Sequence, residues 1–345
     1  MKQIALVLAV VLCLCSVSVG AYAAQESITV YNWYDYIDES VIRDFEKETG
    51  IKVKYANFTT NEEMYARLST GAGEYDVIFP SDYIIERMIK EEGLAKLNLD
   101  NMPNVSGIIE WMKTPDYDPT GEYSVAYMWG TVGILYNPDM IDEITSWDSI
   151  FDPANKKSVF MLNSIRDSIG IALKALGYSL NTRDANELQA AKELLIKQKA
   201  DGIVKGYMVD EIKDKMISGE AAMGIVWSGD ALYAMGEEES LRYVVPDEGS
   251  NIWVDGMCVP ANSKNIQAAE AFIDYLCRPD IAQRNMEYIW YSTPIQSVVD
   301  DMDEETKANE TINPPQSVID RCEFFHDIVE DMDLYGRIWT EVKAG

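Results

Sequence analysis

An α/β protein with mixed, mostly parallel sheets flanked by helices is predicted by three observations. Short apolar strand patterns alternate with amphipathic helical patterns from Ile28 onward. Three such strand–helix units follow one another between Ile28 and Gly93, which is the spacing of a parallel sheet. The chain of 345 residues is long enough for two such regions, each with a sizeable core.

The elements follow in order. Ile28 to Trp33 is a strand, and Val41 to Glu48 a helix with Ile42 and Phe45 on one face, closed by Gly50. Ile51, Val53 and Tyr55 alternate in the next strand, which runs to Phe58. Thr60 and Glu63 have the spacing of a capping box ahead of a helix carrying Met64, Tyr65 and Leu68. Tyr75 to Phe79 is a short strand, and Ile84, Ile85, Met88 and Ile89 form a helix stripe closed by Gly93. Tyr123 to Asn137 is one long extended stretch that can carry the chain between two lobes. Beyond it, Ser158–Leu162, Ala221–Trp227, Leu241–Val245 and Ile252–Val259 read as strands. Ile169–Leu176, Ala185–Lys199, a helix opening at Ser228 and one through Ile266, Phe272 and Leu276 read as helices. Pro279 suits the first turn of a further helix, and the acidic tail from Ser317 is expected to be helical.

The N-terminus has a different character. Lys2 precedes an apolar run from Ile4 to Val19, followed by Ala21-Tyr22-Ala23. This is the charge, apolar and small-residue order of a cleavable export signal, expected over residues 1–23. The run is short for a membrane span, which needs ~20 apolar residues. Cys13 and Cys15 follow Leu12 and Leu14, which does not fit a lipidation site. Cleavage leaves Cys258, Cys277 and Cys322, an odd number, so at least one thiol stays free.

Composition narrows the chemistry. There are 58 acidic and 29 basic residues, a formal net charge of -29, which disfavours nucleic acids and anionic membrane surfaces. The single histidine, His326, would have to serve any Ser-His-Asp triad or histidine zinc site; it is read as structural, within a helix. Gly71-Ala72-Gly73 lacks the third glycine and the preceding strand of a dinucleotide fingerprint. Asp301, Asp303 and Glu305 lack the glycine of a calcium loop. No cofactor, metal or catalytic group is expected. A carboxylate pair of the glycosidase kind, or a site for a sugar, an amino acid or ferric iron, stays open at this level.

The sequence is rich in tyrosine and tryptophan, 20 and 8 against 8 Phe, and several stand at strand ends beside a carboxylate. Trp33, Tyr34 and Tyr36 flank Asp35; Tyr83 follows Ser81 and Asp82; Trp227 precedes Asp230. Trp253 precedes Asp255 by two residues, on one strand face, and Tyr291 precedes Ser292-Thr293-Pro294. Aromatic faces attract ammonium groups and pack on methylenes, while carboxylates supply charge-assisted hydrogen bonds. That is a site for an organic cation. Asp230 also reads as a helix cap and Asp255 as a turn residue.

The motifs Tyr31-Asn32-Trp33-Tyr34-Asp35-Tyr36, Tyr75-Asp76-Val77-Ile78-Phe79-Pro80-Ser81, Gly224-Ile225-Val226-Trp227-Ser228-Gly229-Asp230 and Trp253-Val254-Asp255 resemble the polyamine (spermidine/putrescine) periplasmic binding proteins. These are the substrate-binding subunits of ABC importers, and the resemblance runs through nearly all of the chain after the leader. It implies a two-lobed periplasmic binding protein fold of the type II kind with a ligand cleft between the lobes. Lobe 1 is expected over 24–129 plus 254–300, and lobe 2 over 130–253 plus 301–345. The resemblance places Trp33, Tyr36, Ser81, Tyr83, Trp227, Trp253, Asp255 and Tyr291 on ligand contact positions. Asp167 stands where the family has a glutamate, and Asp35 and Asp230 match acids of putrescine-preferring members. Ser164 replaces an aspartate of spermidine-preferring members, Phe325 a glutamine, and Asp82 is an additional acid. Putrescine is therefore expected ahead of spermidine, with one ammonium on Asp255 and Asp35 and the other on Asp230 and Asp167. The implied partners are the polyamine and the membrane permease subunits of an ABC importer; the implied protein is a periplasmic monomer. The same fold could instead take another organic cation or serve as a sensor subunit.

Overall fold

The computed structural model describes residues 26–71 and 73–344. The leader read at 1–23, Ala72 and Gly345 lie outside the described residues. β1 (Ser27–Trp33) and α1 (Glu39–Thr49) form where the apolar pattern puts them. Asp38 caps α1 by accepting from the Ser40 amide, and Val41, Ile42 and Phe45 are its buried face. β2 (Lys52–Phe58) pairs in parallel with all of β1. α2 (Asn61–Ser69) opens on Thr60, whose hydroxyl accepts from the Glu63 amide at 3.1 Å. The return arm of the expected capping box lands one residue earlier: the Glu63 carboxylate accepts from the amide and hydroxyl of Thr59. β3 (Val77–Ile78) is shorter than its pattern, and α3 (Asp82–Lys90) follows.

β4 (Ser124–Tyr136) is the expected long stretch. The next region contains β5 (Val159–Leu162), α4 (Ile165–Ala175), α5 (Ala185–Ala200), β6 (Val204–Met208), α6 (Glu211–Ile217), β7 (Met223–Trp227), α7 (Ser228–Glu237) and β8 (Arg242–Val244). The chain then forms β9 (Ile252–Cys258), α8 (Ile266–Leu276), α9 (Pro279–Ile289), α10 (Gln296–Asp301), α11 (Glu304–Ala308), α12 (Gln316–Ile319) and α13 (Met332–Ala344). β6 and α6 have no counterpart in the sequence reading. β6 is a half-buried edge strand with no clean alternation, so its period is not visible.

The strand order is β2-β1-β3-β9-β4-β7-β5-β6, with β8 also on β4. β1 pairs in parallel with β2 and β3, and β5 in parallel with β6 and β7. β4 joins the two halves. Ser124–Thr131 pairs antiparallel with β9, and Val132–Tyr136 with β7 and β8. Two hydrophobic cores lie on either side of this junction. One holds Phe45, Phe58, Phe79 and Phe272, the other Trp147, Leu135, Leu173 and Tyr335. This is a two-lobed α/β architecture, as expected.

The tail differs from its reading. Only α12 and α13 are α-helical after residue 315, and His326 lies in an irregular run between them. That run crosses between the cores. Cys322 and Phe324 of the run pack on the first core, as do Met302 and Ile319 before it, and Ile328 on the second, so the tail joins the second core only from Ile328. Its backbone is spent on neighbours other than itself: Glu323 N–H donates to Ser250 O, and Ile252 N–H to Glu323 O. A segment bonded sideways in this way cannot also make the i to i−4 bonds of a helix. Arg87 of α3 donates twice to the Asp327 carboxylate, at 2.8 and 2.9 Å, with both side chains nearly buried. Glu86 accepts from the Asp327 amide at 2.8 Å and sits 3.2 Å from His326 Nδ1.

Cys258 and Cys277 are buried, Cys322 is half-buried, and all three are free. Among the described residues no helix is long and apolar enough to cross a membrane.

Candidate functional site

The carboxyl ends of β1, β3, β5 and β7 present the residues singled out above, which is where open parallel sheets place their ligands. β1 leads to Trp33, Asp35 and Tyr36, β3 to Ser81, Asp82 and Tyr83, β5 to Ser164 and Asp167, and β7 to Trp227 and Asp230. Trp253 and Asp255 come from β9, and Tyr291 from the turn after α9.

Asp255 is the centre of a hydrogen-bonded cluster. Its carboxylate is buried and accepts from the Ser81 hydroxyl at 2.6 Å and the Tyr36 hydroxyl at 2.9 Å. The backbones of Ser81 and Asp255 form a bridge, and Gly256 N–H donates to Pro80 O at 2.9 Å. Asn61 sets the far side of Ser81: its amide nitrogen donates to the hydroxyls of Ser81 and Tyr83, and its oxygen accepts from Ser81 N–H. Burial pushes the Asp255 carboxyl up to about 6 against the opposing effect of its two hydroxyl donors.

Aromatic rings surround this carboxylate. Tyr291 lies edge-on to Tyr36 at 6.1 Å and to Trp253 at 4.9 Å. Two glycines permit the approach. A Cβ on Gly229, in the first turn of α7, would stand 2.3 Å from the Tyr291 ring, and one on Gly130 would stand 2.8 Å from the Trp253 ring. Trp129 pins the turn that carries Tyr291, donating its amide to Ser292 O at 3.1 Å and its indole N–H to Thr293 O at 3.2 Å. Trp33 is half-buried, with its indole N–H on Phe79 O at 2.8 Å. Trp227 is half-buried against the second core.

Two further carboxylates are buried and only half satisfied. Asp82 accepts from the Tyr83 amide with one oxygen, and Asp167 accepts from the Ser164 hydroxyl at 2.6 Å with one oxygen. Their other oxygens, Asp82 Oδ2 and Asp167 Oδ1, are the carboxylate atoms buried without a hydrogen-bond partner among the described residues. Burial raises the pKa of both, and for Asp82 the nearby Asp255 adds to the rise. A buried, unpaired acceptor is costly, and a cation reaching it would relieve that cost. Ser164 caps α4 and orients Asp167.

Two of the expected acids are engaged elsewhere. Asp35 takes a left-handed backbone, φ 53°, which turns its side chain to the surface, where it accepts from the Tyr288 hydroxyl. It does not join Asp255. Asp230 is paired with Lys213 of α6 at 2.9 Å. Burial raises the Asp230 pKa, and Lys213 opposes the rise.

Sequence reasoning passed over Asn61, Arg166 and Lys213. Arg166 is buried beside Asp167, with Cζ 4.2 Å from the centre of the Phe325 ring and 5.9 Å from that of Tyr83. Adjacency to Asp167 was its one visible signal. Asn61 and Lys213 meet their partners only through the fold.

Residues 40–314 match the family of bacterial extracellular solute-binding proteins. The chain belongs to that family, whose members bind solutes rather than turn them over. Within it the chain is similar to the spermidine/putrescine-binding periplasmic protein of Salmonella typhimurium, with 34% identity over 93% of this chain and 92% of that protein. It is also similar to the putrescine-binding periplasmic protein SpuD of Pseudomonas aeruginosa, with 31% identity over 96% and 95%. Among solved structures, the spermidine/putrescine ABC transporter substrate-binding protein PotD of Streptococcus pneumoniae superposes with a TM-score of 0.84. Its identity is 34%, over 92% of this chain and 99% of that one.

Proposed function

We propose that this protein captures a polyamine, putrescine ahead of spermidine, in the cleft between its lobes and delivers it to the permease of an ABC importer. The observation that carries the reading is the buried Asp255 carboxylate among Tyr36, Tyr291 and Trp253, together with two further buried carboxylates, Asp82 and Asp167, that each keep an unpartnered oxygen. Ammonium groups satisfy the acids, and the rings cover the methylenes. One ammonium sits at Asp255, with Asp82 behind it, and the other at Asp167. Trp33, Tyr83 and Trp227 complete the walls, Ser81 and Ser164 hold the carboxylates, and Asp35 and Asp230 stand at the rim. The names of the similar proteins support the ligand class.

The proposed lobes divide near residues 130 and 254, with the crossing tail shared between them; the two cores support this division. A ligand touching both lobes favours their closed arrangement through its higher affinity for it. The mature protein acts as a periplasmic monomer released from a cleavable leader, and nucleic acid is not a partner.

A thermal-unfolding scan with putrescine, spermidine, spermine, cadaverine and a neutral sugar tests the ligand class. Ligand at ~100 times its dissociation constant stabilises by about 2.7 kcal/mol, a shift of several degrees. Shifts are expected with polyamines and none with the sugar. No shift with any polyamine would remove the proposed ligand.

A further inference from the structure

We propose that Trp290 is a positioning residue for ligand retention: its ring joins the two lobes on the solvent side of the site and sets how fast a bound polyamine leaves. The inference rests on the polyamine reading above. Trp290 ends α9 with a left-handed backbone, φ 69° and ψ 14°. That conformation favours glycine, and a bulky side chain adopts it only with strain. Among the described residues Trp290 is the one aromatic side chain with a positive φ. The turn needs the left-handed residue, because Tyr291 next to it heads for Trp253 while Trp129 holds Ser292 and Thr293. Glycine would serve that backbone without strain; the indole adds a contact that glycine cannot make.

That contact crosses between the lobes. The Trp290 ring meets the Tyr233 ring of α7, with centres 6.4 Å apart and planes at 89°, an edge-to-face pair. Ile289 and Tyr291, on either side of Trp290, pack on the first core, whereas Ala231 and Ala234 of α7 are buried in the second. Parting the two cores therefore pulls the rings apart. Tyr233 is itself held: Lys213 Nζ lies 5.5 Å from its ring centre, and Asp230, three residues before Tyr233 on α7, fixes Lys213 at 2.9 Å. Trp290 is 50% exposed and Tyr233 38%, so the pair is an outer layer, with Tyr291 against Gly229 as the inner one. A polyamine enclosed between the lobes leaves only after they part. A contact that must break first slows release without touching the ligand.

Stopped-flow tryptophan fluorescence of the wild type, Trp290→Gly, Trp290→Phe and Tyr233→Ala, with putrescine and cadaverine, tests this; Trp33, Trp227 and Trp253 remain as reporters. Trp290→Gly suits the left-handed backbone and removes the ring. It should raise the dissociation rate about fivefold, about 1 kcal/mol, by the same factor for both ligands. The association rate should stay within about twofold. Trp290→Phe keeps a ring and should retain most of the wild-type residence time. Tyr233→Ala leaves the turn untouched and should match Trp290→Gly, and the double variant should release ligand no faster than either single one. An unchanged dissociation rate in Trp290→Gly overturns the inference, as does a double variant that adds the two effects. A factor that differs between putrescine and cadaverine also overturns it, since that marks a residue touching the ligand. Wild-type binding of no polyamine removes the reading underneath, whereas tight putrescine binding with an unmoved dissociation rate removes only the role of Trp290.

Discussion

Replacing Asp255 with asparagine is expected to weaken putrescine binding at least ~30-fold, because truncating one side of a buried, hydrogen-bonded charge pair costs about 2–5 kcal/mol. Asparagine fits the space but brings no charge to the ammonium and leaves the Ser81 and Tyr36 hydroxyls with one acceptor between them. The wild type should show a pH dependence that the variant lacks. With Asp255 titrating at about 6 in the ligand-free protein, putrescine affinity should decline as the pH falls through 6. Stability without ligand moves the other way. A carboxyl whose folded pKa is raised above its ordinary 3.8 contributes stability that is present below about pH 4 and lost as the pH rises through 6. The ligand-free midpoint should therefore contain a component that falls from pH 5 to 7 while the ligand-induced shift grows, and Asp255→Asn should remove both. Affinity within threefold of the wild type would take Asp255 out of the site.

Asp327→Ala is expected to cost about 3–5 kcal/mol of folding stability, since it strands the Arg87 guanidinium, 11% exposed, without its carboxylate. The pair ties α3 of the first lobe to the crossing tail. Adding Arg87→Met should return much of the loss, because removing both charges leaves nothing unpaired. Denaturant unfolding of the single and double variants measures this. A single-variant loss under 1 kcal/mol, or a double variant no better than the single, would contradict a buried tie.

The elements with strong periodicity were legible: α1, α3, α8 and the unusual length of β4 all follow from residue pattern alone. β6 was not, because a half-buried edge strand has no strict alternation. The tail misled for a related reason. It reads as a helix rich in acids, but the Glu323 amide and carbonyl are bonded to Ser250 and Ile252, and the His326 and Asp327 amides to the side chains of Asn181 and Glu86. In the site, the spacing of Trp253 and Asp255 on one face was readable, since it follows from strand geometry. The engagement of Asp230 by Lys213 was not, because it requires α6 to pack beside α7, and no local pattern encodes that. The pairing of Asp35 with Asp255, expected from the resemblance, was not legible as absent either, because the left-handed backbone that turns Asp35 to Tyr288 is not encoded in its aromatic neighbours.

The most direct test of the central claim is a structure determined with putrescine present. The ligand is expected extended between the lobes, one ammonium within hydrogen-bond distance of the Asp255 carboxylate, the other at Asp167, and its methylenes against Trp253 and Tyr291. Putrescine bound elsewhere would contradict the account; the obvious competitor is the cavity of about 280 Å³ lined by Trp111, Glu323 and Phe324 on the crossing tail.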